Sequence, residues 1–372
     1  MQKLEVFGAN KLKGQINISG SKNSSLPILA ASILSKKKVI LKNLPKVKDI
    51  ETMVSLLQSL GSKIKFSNKI LQIDNSKQIK KVAPYNLVKT MRAGILVLGP
   101  LLAKFGSAKV SLPGGCAIGT RPIDIHLKAL SKLGVKYKIS QGYVHAKAPH
   151  GLEGNKIHFP KISVGATENL IIAASLAKGK TILSNCAIEP EIKDLTNFLN
   201  SAGAKISWYG RTCKIVGVNK LNSTVYSVMA DRIEAGTFCV AATLAKGNLK
   251  ITNLDAKIIK TELELLKRFG AKINTHKKKI FIRGPEKIRS IKDIKTKEYP
   301  GVATDLQSQL MVLMCKANGK SSITENIFEN RFMHVAELRR LGAKIDVKNN
   351  KAYINGNTKF IGAELMSSDL RA

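Results

Sequence analysis

Leu263-Glu-Leu-Leu-Lys-Arg-Phe-Gly270-Ala-Lys272-Ile273 runs from a helix-like segment through a glycine into a β-branched strand. The same pattern stands at Leu56-Leu57-Gln-Ser-Leu60-Gly61-Ser-Lys63-Ile64 and at Leu127-Lys-Ala-Leu-Ser-Lys-Leu133-Gly134-Val-Lys136. It returns from Leu195 to Gly203-Ala-Lys205-Ile206 and from Val335 to Gly342-Ala-Lys344-Ile345. Glycine at that point reads as the residue just past a helix, in left-handed geometry, releasing the chain into the next strand. The glycines recur at intervals of about 70 residues, longer than the ~20–50 of ordinary solenoids. Each repeat is therefore an αβ unit of its own.

Before each of these helices lies another run rich in apolar and small residues: Ser25–Leu34, Met91–Leu102, Ala166–Ala177, Ala235–Ala245 and Asp305–Ala317. They are apolar nearly all round, which predicts buried helices. A polar turn and a short β-branched run follow each one, as in Lys38-Val-Ile-Leu and Lys180-Thr-Ile-Leu. The unit reads βαβαββ. Buried helices beside amphipathic strands predict sheets wrapped around helices, an inverse (inside-out) α/β barrel with two lobes. Five units are complete, and a sixth begins at Gly362-Ala-Glu-Leu-Met-Ser-Ser-Asp-Leu-Arg-Ala. A repeat-built core needs its terminal unit, so the expectation is a sixth repeat truncated here.

The chain has 372 residues, 44% hydrophobic content and a net charge of +37. That length accommodates two domains at roughly 150 residues each. No apolar run reaches the ~18 residues of a membrane span, and Met1-Gln-Lys-Leu-Glu-Val-Phe-Gly lacks a signal-peptide core. A cytoplasmic location, no membrane association and a monomer are the expectations. The charge does not read as nucleic-acid binding. Of the 62 cations only 11 are Arg, lysines are spread along the chain, and aromatics are 5%, few for base-stacking platforms. General attraction of anionic substrates accounts for the charge. The five cysteines (116, 186, 213, 239, 315) are scattered, without C-x-x-C or zinc-ligand spacing. Four sit in apolar or strand-like surroundings and read as core residues.

Cys116 differs. It lies in Leu112-Pro-Gly-Gly-Cys-Ala-Ile-Gly-Thr-Arg-Pro-Ile-Asp124, where glycines let the backbone bend and prolines argue against a regular helix or inner strand. A thiol near fixed positive charge tends towards thiolate, and Arg121 carries a donor fork suited to phosphate or carboxylate. Read locally, the segment is either a reactive loop or a glycine-rich turn with a buried cysteine. Elsewhere charge gathers at helix entrances. Lys22 and Asn23 follow Gly20-Ser21, and free N–H groups at such a terminus favour anions. Arg92, Asp231-Arg232, Asp305, Glu329-Asn-Arg331 and Asp369-Leu-Arg371 have similar settings. An acid there is ordinarily a helix-dipole partner, or alternatively a general base. Neither a Walker A loop nor a Gly-x-Gly-x-x-Gly opening a helix is present.

Segments in order along the whole chain carry a family resemblance. They are Ile18-Ser-Gly-Ser-Lys22-Asn23, Thr90-Met-Arg92-Ala, the cysteine loop and Ile162-Ser-Val-Gly-Ala-Thr. They continue with Glu189-Pro-Glu191, Met229-Ala-Asp-Arg232-Ile-Glu-Ala-Gly, Tyr299-Pro-Gly-Val-Ala-Thr-Asp305-Leu-Gln, Phe328-Glu-Asn-Arg331-Phe-Met-His334 and Ser368-Asp-Leu-Arg371-Ala. In these the chain resembles the enolpyruvyl transferase family. The cysteine loop aligns it with the branch acting on UDP-N-acetylglucosamine and separates it from the shikimate-pathway sibling.

The resemblance implies two lobes of three repeats, 22–229 and 1–21 plus 230–372. It also implies transfer of the enolpyruvyl group of phosphoenolpyruvate to the 3-hydroxyl of UDP-N-acetylglucosamine, with release of phosphate and no metal or organic cofactor. That is the first committed step of peptidoglycan synthesis, hence of cell-wall growth, shape and division. Carried over by position, Lys22, Arg92 and Arg121 would grip phosphoenolpyruvate, Asp305 would be the general base and Cys116 the acid. Asn23 and Arg331 would hold sugar and intermediate, with Asp369 supporting. Arg121, Pro122, Ile123, Asp124, Lys161, Ser163, Val164, Gly165 and Ile327 match positions lining the uridine-diphosphate site. The cysteine is the family's target for the epoxide fosfomycin, so sensitivity is implied. Another phosphoenolpyruvate-binding arginine of the family falls beyond Ala372, so the expectation is a partial sequence of the enzyme, the alternative a catalytically inactive remnant.

Overall fold

A computed structural model describes residues 3–8, 12–67, 70–76, 79–114 and 123–368. Five successive βαβαββ units occupy them. The first runs β1 (Lys13–Asn17), α1 (Lys22–Ala31), β2 (Val39–Lys42), α2 (Lys48–Leu60), β3 (Lys63–Ser67) and β4 (Ile70–Asp74). The second has β5 (Val82–Ala83), the single turn α3 (Tyr85–Val88), a 3-10 segment at Arg92–Val97, α4 (Leu98–Phe105) and β6 (Ser107–Ser111). It ends with α5 (Asp124–Ser131), β7 (Lys136–Ser140) and β8 (Tyr143–Lys147). The third comprises β9 (Lys156–His158), α6 (Val164–Ala174), β10 (Lys180–Ser184), α7 (Pro190–Ser201), β11 (Lys205–Tyr209) and β12 (Thr212–Val216). The fourth comprises β13 (Thr224–Ser227), α8 (Arg232–Leu244), β14 (Asn248–Thr252), α9 (Lys260–Arg268), β15 (Lys272–His276) and β16 (Lys279–Arg283). The fifth comprises β17 (Ile294–Lys295), a 3-10 turn at Thr304–Leu306, α10 (Gln307–Lys316), β18 (Lys320–Thr324), α11 (His334–Arg340), β19 (Lys344–Lys348) and β20 (Lys351–Asn355).

The burial pattern explains the inside-out arrangement. Every residue of α1 from Ser24 onward is buried, and α6 is buried from Ala166 to Ala174. The strands alternate: Leu71 and Ile73 of β4, Cys213 and Ile215 of β12, and Ile280 and Ile282 of β16 point inward, with polar or half-exposed neighbours between them. A sheet with one buried face gives that period of two. Among the described residues no helix is long and apolar enough to cross a membrane.

The repeat glycines hold the expected geometry. Gly61, Gly134, Gly203, Gly270 and Gly342 all have positive φ, from 92° to 110°, a region costly for a residue with a Cβ. At Gly203 an added Cβ would also come within 3.2 Å of Asn222 Nδ2. Gly203→Ala is therefore expected to lower stability by about 1–2 kcal/mol, read as a reduced urea midpoint. Gly8→Ala, where nothing lies within 4 Å, is the control, and equal midpoints for the two variants would refute the assignment.

A second local device repeats with the units. Asn43, Asn185 and Asn253 each follow the second strand of their repeat, with φ of 60°, 57° and 72°. Their Nδ2 groups donate to Val228 O (2.8 Å), Phe159 O (2.8 Å) and Ile18 O (2.9 Å), each just past the first strand of the same sheet.

Each sheet has four strands, but the first and fourth repeats exchange their leading strands. β1 pairs in parallel with β14, Lys13 opposite Asn248, whereas β13 pairs in parallel with β2, Thr224 opposite Val39. The described residues fall into two compact units accordingly. One takes the chain up to Ile18 and from Asp231 onward; the other takes Ser19 to Ala230. One expected element differs locally. Arg92–Val97 tightens into a 3-10 segment before α4 starts. Gly94 packs against Val88, where a Cβ would sit 3.1 Å away, and Pro100 has no N–H for a bond to Leu96.

Candidate active site

In the Ser19–Ala230 unit the start of α1 is fixed from several sides. Gly20 crosses Asn43 so closely that a Cβ would overlap its carbonyl oxygen. Ser21 caps the helix, its Oγ accepting from Ser24 N, while Ser21 N donates to Met229 O at 2.8 Å. Ser24 Oγ donates to buried Asp194, which also accepts from Tyr226 Oη (2.6 Å) and Met229 N (3.1 Å). Burial pushes the Asp194 carboxyl up, against the opposing pull of those three donors. Burial and the neighbouring Asp194 push Tyr226 up as well. On this anchored turn stand Lys22 and Asn23, both half-buried. Lys22 Nζ lies 3.0 Å from Asp49 Oδ2 at the start of α2, each side chain about one-fifth exposed (18% and 19%).

Arg92, half-buried, opens the 3-10 segment. At Gly114, the last described residue before Cys116, a Cβ would lie 2.0 Å from Lys89 O, so the chain is pressed against that backbone there. Where the described chain resumes, Ile123 is buried and Asp124 is the first-turn acid of α5, its carboxylate 3.5 Å from Lys128 Nζ. Ser163 caps α6 through Ala166 N (3.3 Å), with Val164 and Lys161 exposed beside it. Gly165 faces the His126 ring, whose Cε1 would be 3.2 Å from an added Cβ. Asn169 holds that ring at Nδ1 (3.2 Å) while accepting from Gly99 N and donating to Ile95 O. The starts of α5 and α6 thus meet at His126 and Gly165. Cys116, Arg121, Pro122 and Asp369 lie outside the described residues.

The unit beginning at Asp231 holds the other candidates, and it separates two acids that look alike in the sequence. Asp231 is an N-cap, its Oδ1 accepting from Ile233 N (2.8 Å) and Glu234 N (3.1 Å) at the start of α8. Asp305 sits inside the 3-10 turn whose N-cap residue is Ala303, and its Oδ1 receives Arg331 Nη2 at 3.1 Å. The guanidinium is buried, 6% exposed at the side chain against 24% for Asp305, and lies 5.5 Å over the Phe328 ring. Arg331 precedes α11 rather than opening it, in the turn after Ile327. The guanidinium fixes the Asp305 carboxylate in place through a charge-assisted hydrogen bond. Lys22 and Arg92 present cations at helix starts, where anions are favoured.

Sequence reading missed Asp49, His126, Asn169 and Asp194. Asp49 carried the signal of any first-turn acid, and only the fold sets it against Lys22. His126 and Asn169 had no local signal, because what matters is the meeting of two helices.

Comparison with known proteins finds relatives along the whole chain. The pattern of the family described as EPSP synthase (3-phosphoshikimate 1-carboxyvinyltransferase) matches residues 6–372. The chain is 69% identical over 373 residues to a Pelagibacter ubique protein named UDP-N-acetylglucosamine 1-carboxyvinyltransferase, covering all of this chain and 89% of that one. A Helicobacter pylori protein of the same name is 49% identical over 376 residues, again with 100% and 89% coverage. Among solved structures, the enolpyruvyl transferase NikO from Streptomyces tendae superposes with a TM-score of 0.84 at 21% identity, over 94% of this chain and 83% of that one. An EPSP synthase from Acinetobacter baumannii gives 0.73 at 18%, over 97% and 87%. Both share the inside-out α/β fold.

Proposed function

The chain belongs to the EPSP synthase family of carboxyvinyl transferases, and we propose that it moves the enolpyruvyl group of phosphoenolpyruvate to the 3-hydroxyl of UDP-N-acetylglucosamine, releasing phosphate. The observation that carries this reading is the 69% identity along the entire chain to a relative of that name.

The chemistry is addition followed by elimination. Asp305 takes the proton of the sugar hydroxyl as its oxygen attacks C2 of phosphoenolpyruvate, and Cys116 delivers a proton to C3. The tetrahedral adduct then loses a C3 proton and inorganic phosphate, restoring the double bond. Lys22, Arg92 and Arg121 hold the phosphate and carboxylate through charge-assisted hydrogen bonds, which strengthen as charge shifts onto the leaving group. Ile123, Asp124, Lys161, Ser163, Val164, Gly165, Ile327, Arg121 and Pro122 line the uridine-diphosphate site. Asn23 and Arg331 hold sugar and adduct, with Asp369 supporting. No cofactor enters these steps. The product feeds peptidoglycan synthesis in the cytoplasm, and through it cell shape and division.

Phosphate release measured with phosphoenolpyruvate plus UDP-N-acetylglucosamine, and separately with shikimate 3-phosphate, tests the reading. The expected result is one phosphate per UDP-sugar consumed and none with the shikimate. Release with the shikimate alone would assign the sibling reaction, and release with neither would leave an inactive chain.

A further inference from the structure

We propose that Glu325 is a positioning residue for this reaction, a buried carboxylate that fixes the Asp305 turn and the Ile327–Arg331 loop against one another. The proposal rests on the enolpyruvyl-transfer reading and adds a residue that touches no substrate.

Glu325 follows β18, the place in its repeat that Asn43, Asn185 and Asn253 hold in three others. There the asparagine donates across the sheet. In the fifth repeat the donor is replaced by an acceptor, and its contacts turn towards the site. Glu325 is 3% exposed. Its Oε1 accepts from Thr296 Oγ1 (2.9 Å), Ile327 N (2.8 Å) and Phe328 N (3.3 Å). Its Oε2 accepts from Thr304 Oγ1 at 2.8 Å. The lost cross-sheet donor is supplied one residue later, by Asn326 Nδ2 to Thr296 O at 3.2 Å.

These bonds close a ring. Thr304 precedes Asp305, Asp305 pairs with Arg331, and the loop leading back from Arg331 passes Phe328 and Ile327 to Glu325. Glu262 of α9 holds the turn from its other side, its Oε1 accepting from Ala303 N at 3.1 Å. A sheet clasp alone would need one donor, as the asparagines show. A buried carboxylate has to satisfy several lone pairs, and here the donors flank the base and its guanidinium partner. Holding reacting groups within fractions of an ångström is where such rigidity acts, since a ~1 Å misplacement can cost about 10²-fold in rate.

The test uses the full chain as wild type, Glu325→Ala, Glu325→Gln and Thr304→Val. It combines steady-state kinetics with hydrogen exchange over residues 303–306 and 326–331. In Glu325→Ala the amides of Ile327 and Phe328 are expected to exchange about tenfold faster or more, and kcat/KM for the UDP-sugar to fall at least about tenfold per folded molecule. Glu325→Gln keeps one acceptor oxygen and an amide that the Thr304 hydroxyl can accept from, so it is expected to recover to within about threefold. If Glu325→Ala does not fold, Thr304→Val carries the test: it cuts only the Asp305 side, so kcat falls while KM stays within about threefold. Unchanged exchange in Glu325→Ala, or wild-type kinetics in both Glu325→Ala and Thr304→Val, would overturn the proposal. A wild-type chain that releases no phosphate overturns the functional reading, and the exchange comparison still decides whether Glu325 holds the loop.

Discussion

Asp305→Asn is expected to lower kcat for phosphate release by about 10²–10⁴-fold, the range for loss of a positioned general base, with KM for both substrates within a few-fold. The amide is isosteric and its oxygen can still accept from Arg331 Nη2, now 3.1 Å from the carboxylate. What it cannot do is take the proton of the sugar hydroxyl. Arg331 is buried, so losing its countercharge also costs stability, and rates are to be compared per folded molecule. Asp231→Asn is the matching control. Its Oδ1 already accepts from two backbone N–H groups of α8, and asparagine keeps that oxygen and caps a helix about as well, so stability and kcat are both expected to stay nearly intact. A kcat within tenfold of wild type in Asp305→Asn would remove Asp305 from the role of base.

The contrast between these two acids shows where sequence reading stops. Asp231 and Asp305 both precede apolar helices and look alike, and the difference lies in what the fold brings to each: two backbone donors in one case, a buried guanidinium in the other. The helix-ending glycines were legible because the requirement is local, a left-handed φ that one residue type meets easily. Alternation in β4, β12 and β16 was legible for the same reason. The exchange of leading strands between the first and fourth repeats was not derivable from any local pattern, since Lys13 and Asn248 are more than two hundred positions apart in the chain. It entered only through the family resemblance, as a chain leaving and re-entering a lobe. Glu325 was missed although a signal existed. Aligning the residue after each second strand gives Asn43, Leu112, Asn185, Asn253 and Glu325, and the departure from asparagine marks a position with a different task.

Treatment of the wild-type chain with fosfomycin at pH 7.5 is expected to add one adduct, at Cys116, and to stop turnover. The other four thiols supply the reason for selectivity. Cys186, Cys213, Cys239 and Cys315 are all fully buried. Burial pushes Cys186 and Cys239 up to about 12 and Cys315 to about 11, and it raises Cys213 too, with the charge of Cys186 adding to the effect. Because the thiolate is the nucleophile, a group with a value of about 12 is ionised only to roughly 10⁻⁴–10⁻⁵ at that pH. A thiol at the unperturbed value of ~8.5 would be ionised to about one part in ten. Selectivity of at least about 10²-fold follows from ionisation alone, even against Cys315, and inaccessibility multiplies it. The pH dependence has a definite sign: adduct formation rises with pH because the thiolate is the nucleophile, and the buried four contribute only if the fold opens. Cys116→Asp is expected to keep turnover and take no adduct. Cys116→Ala takes none either, but loses about 10²-fold or more in kcat, the scale of a missing proton donor. Peptide mapping by mass spectrometry reads the outcome, and an adduct at any buried cysteine of the folded chain, or a single adduct persisting in Cys116→Ala, would overturn the assignment of the reactive thiol.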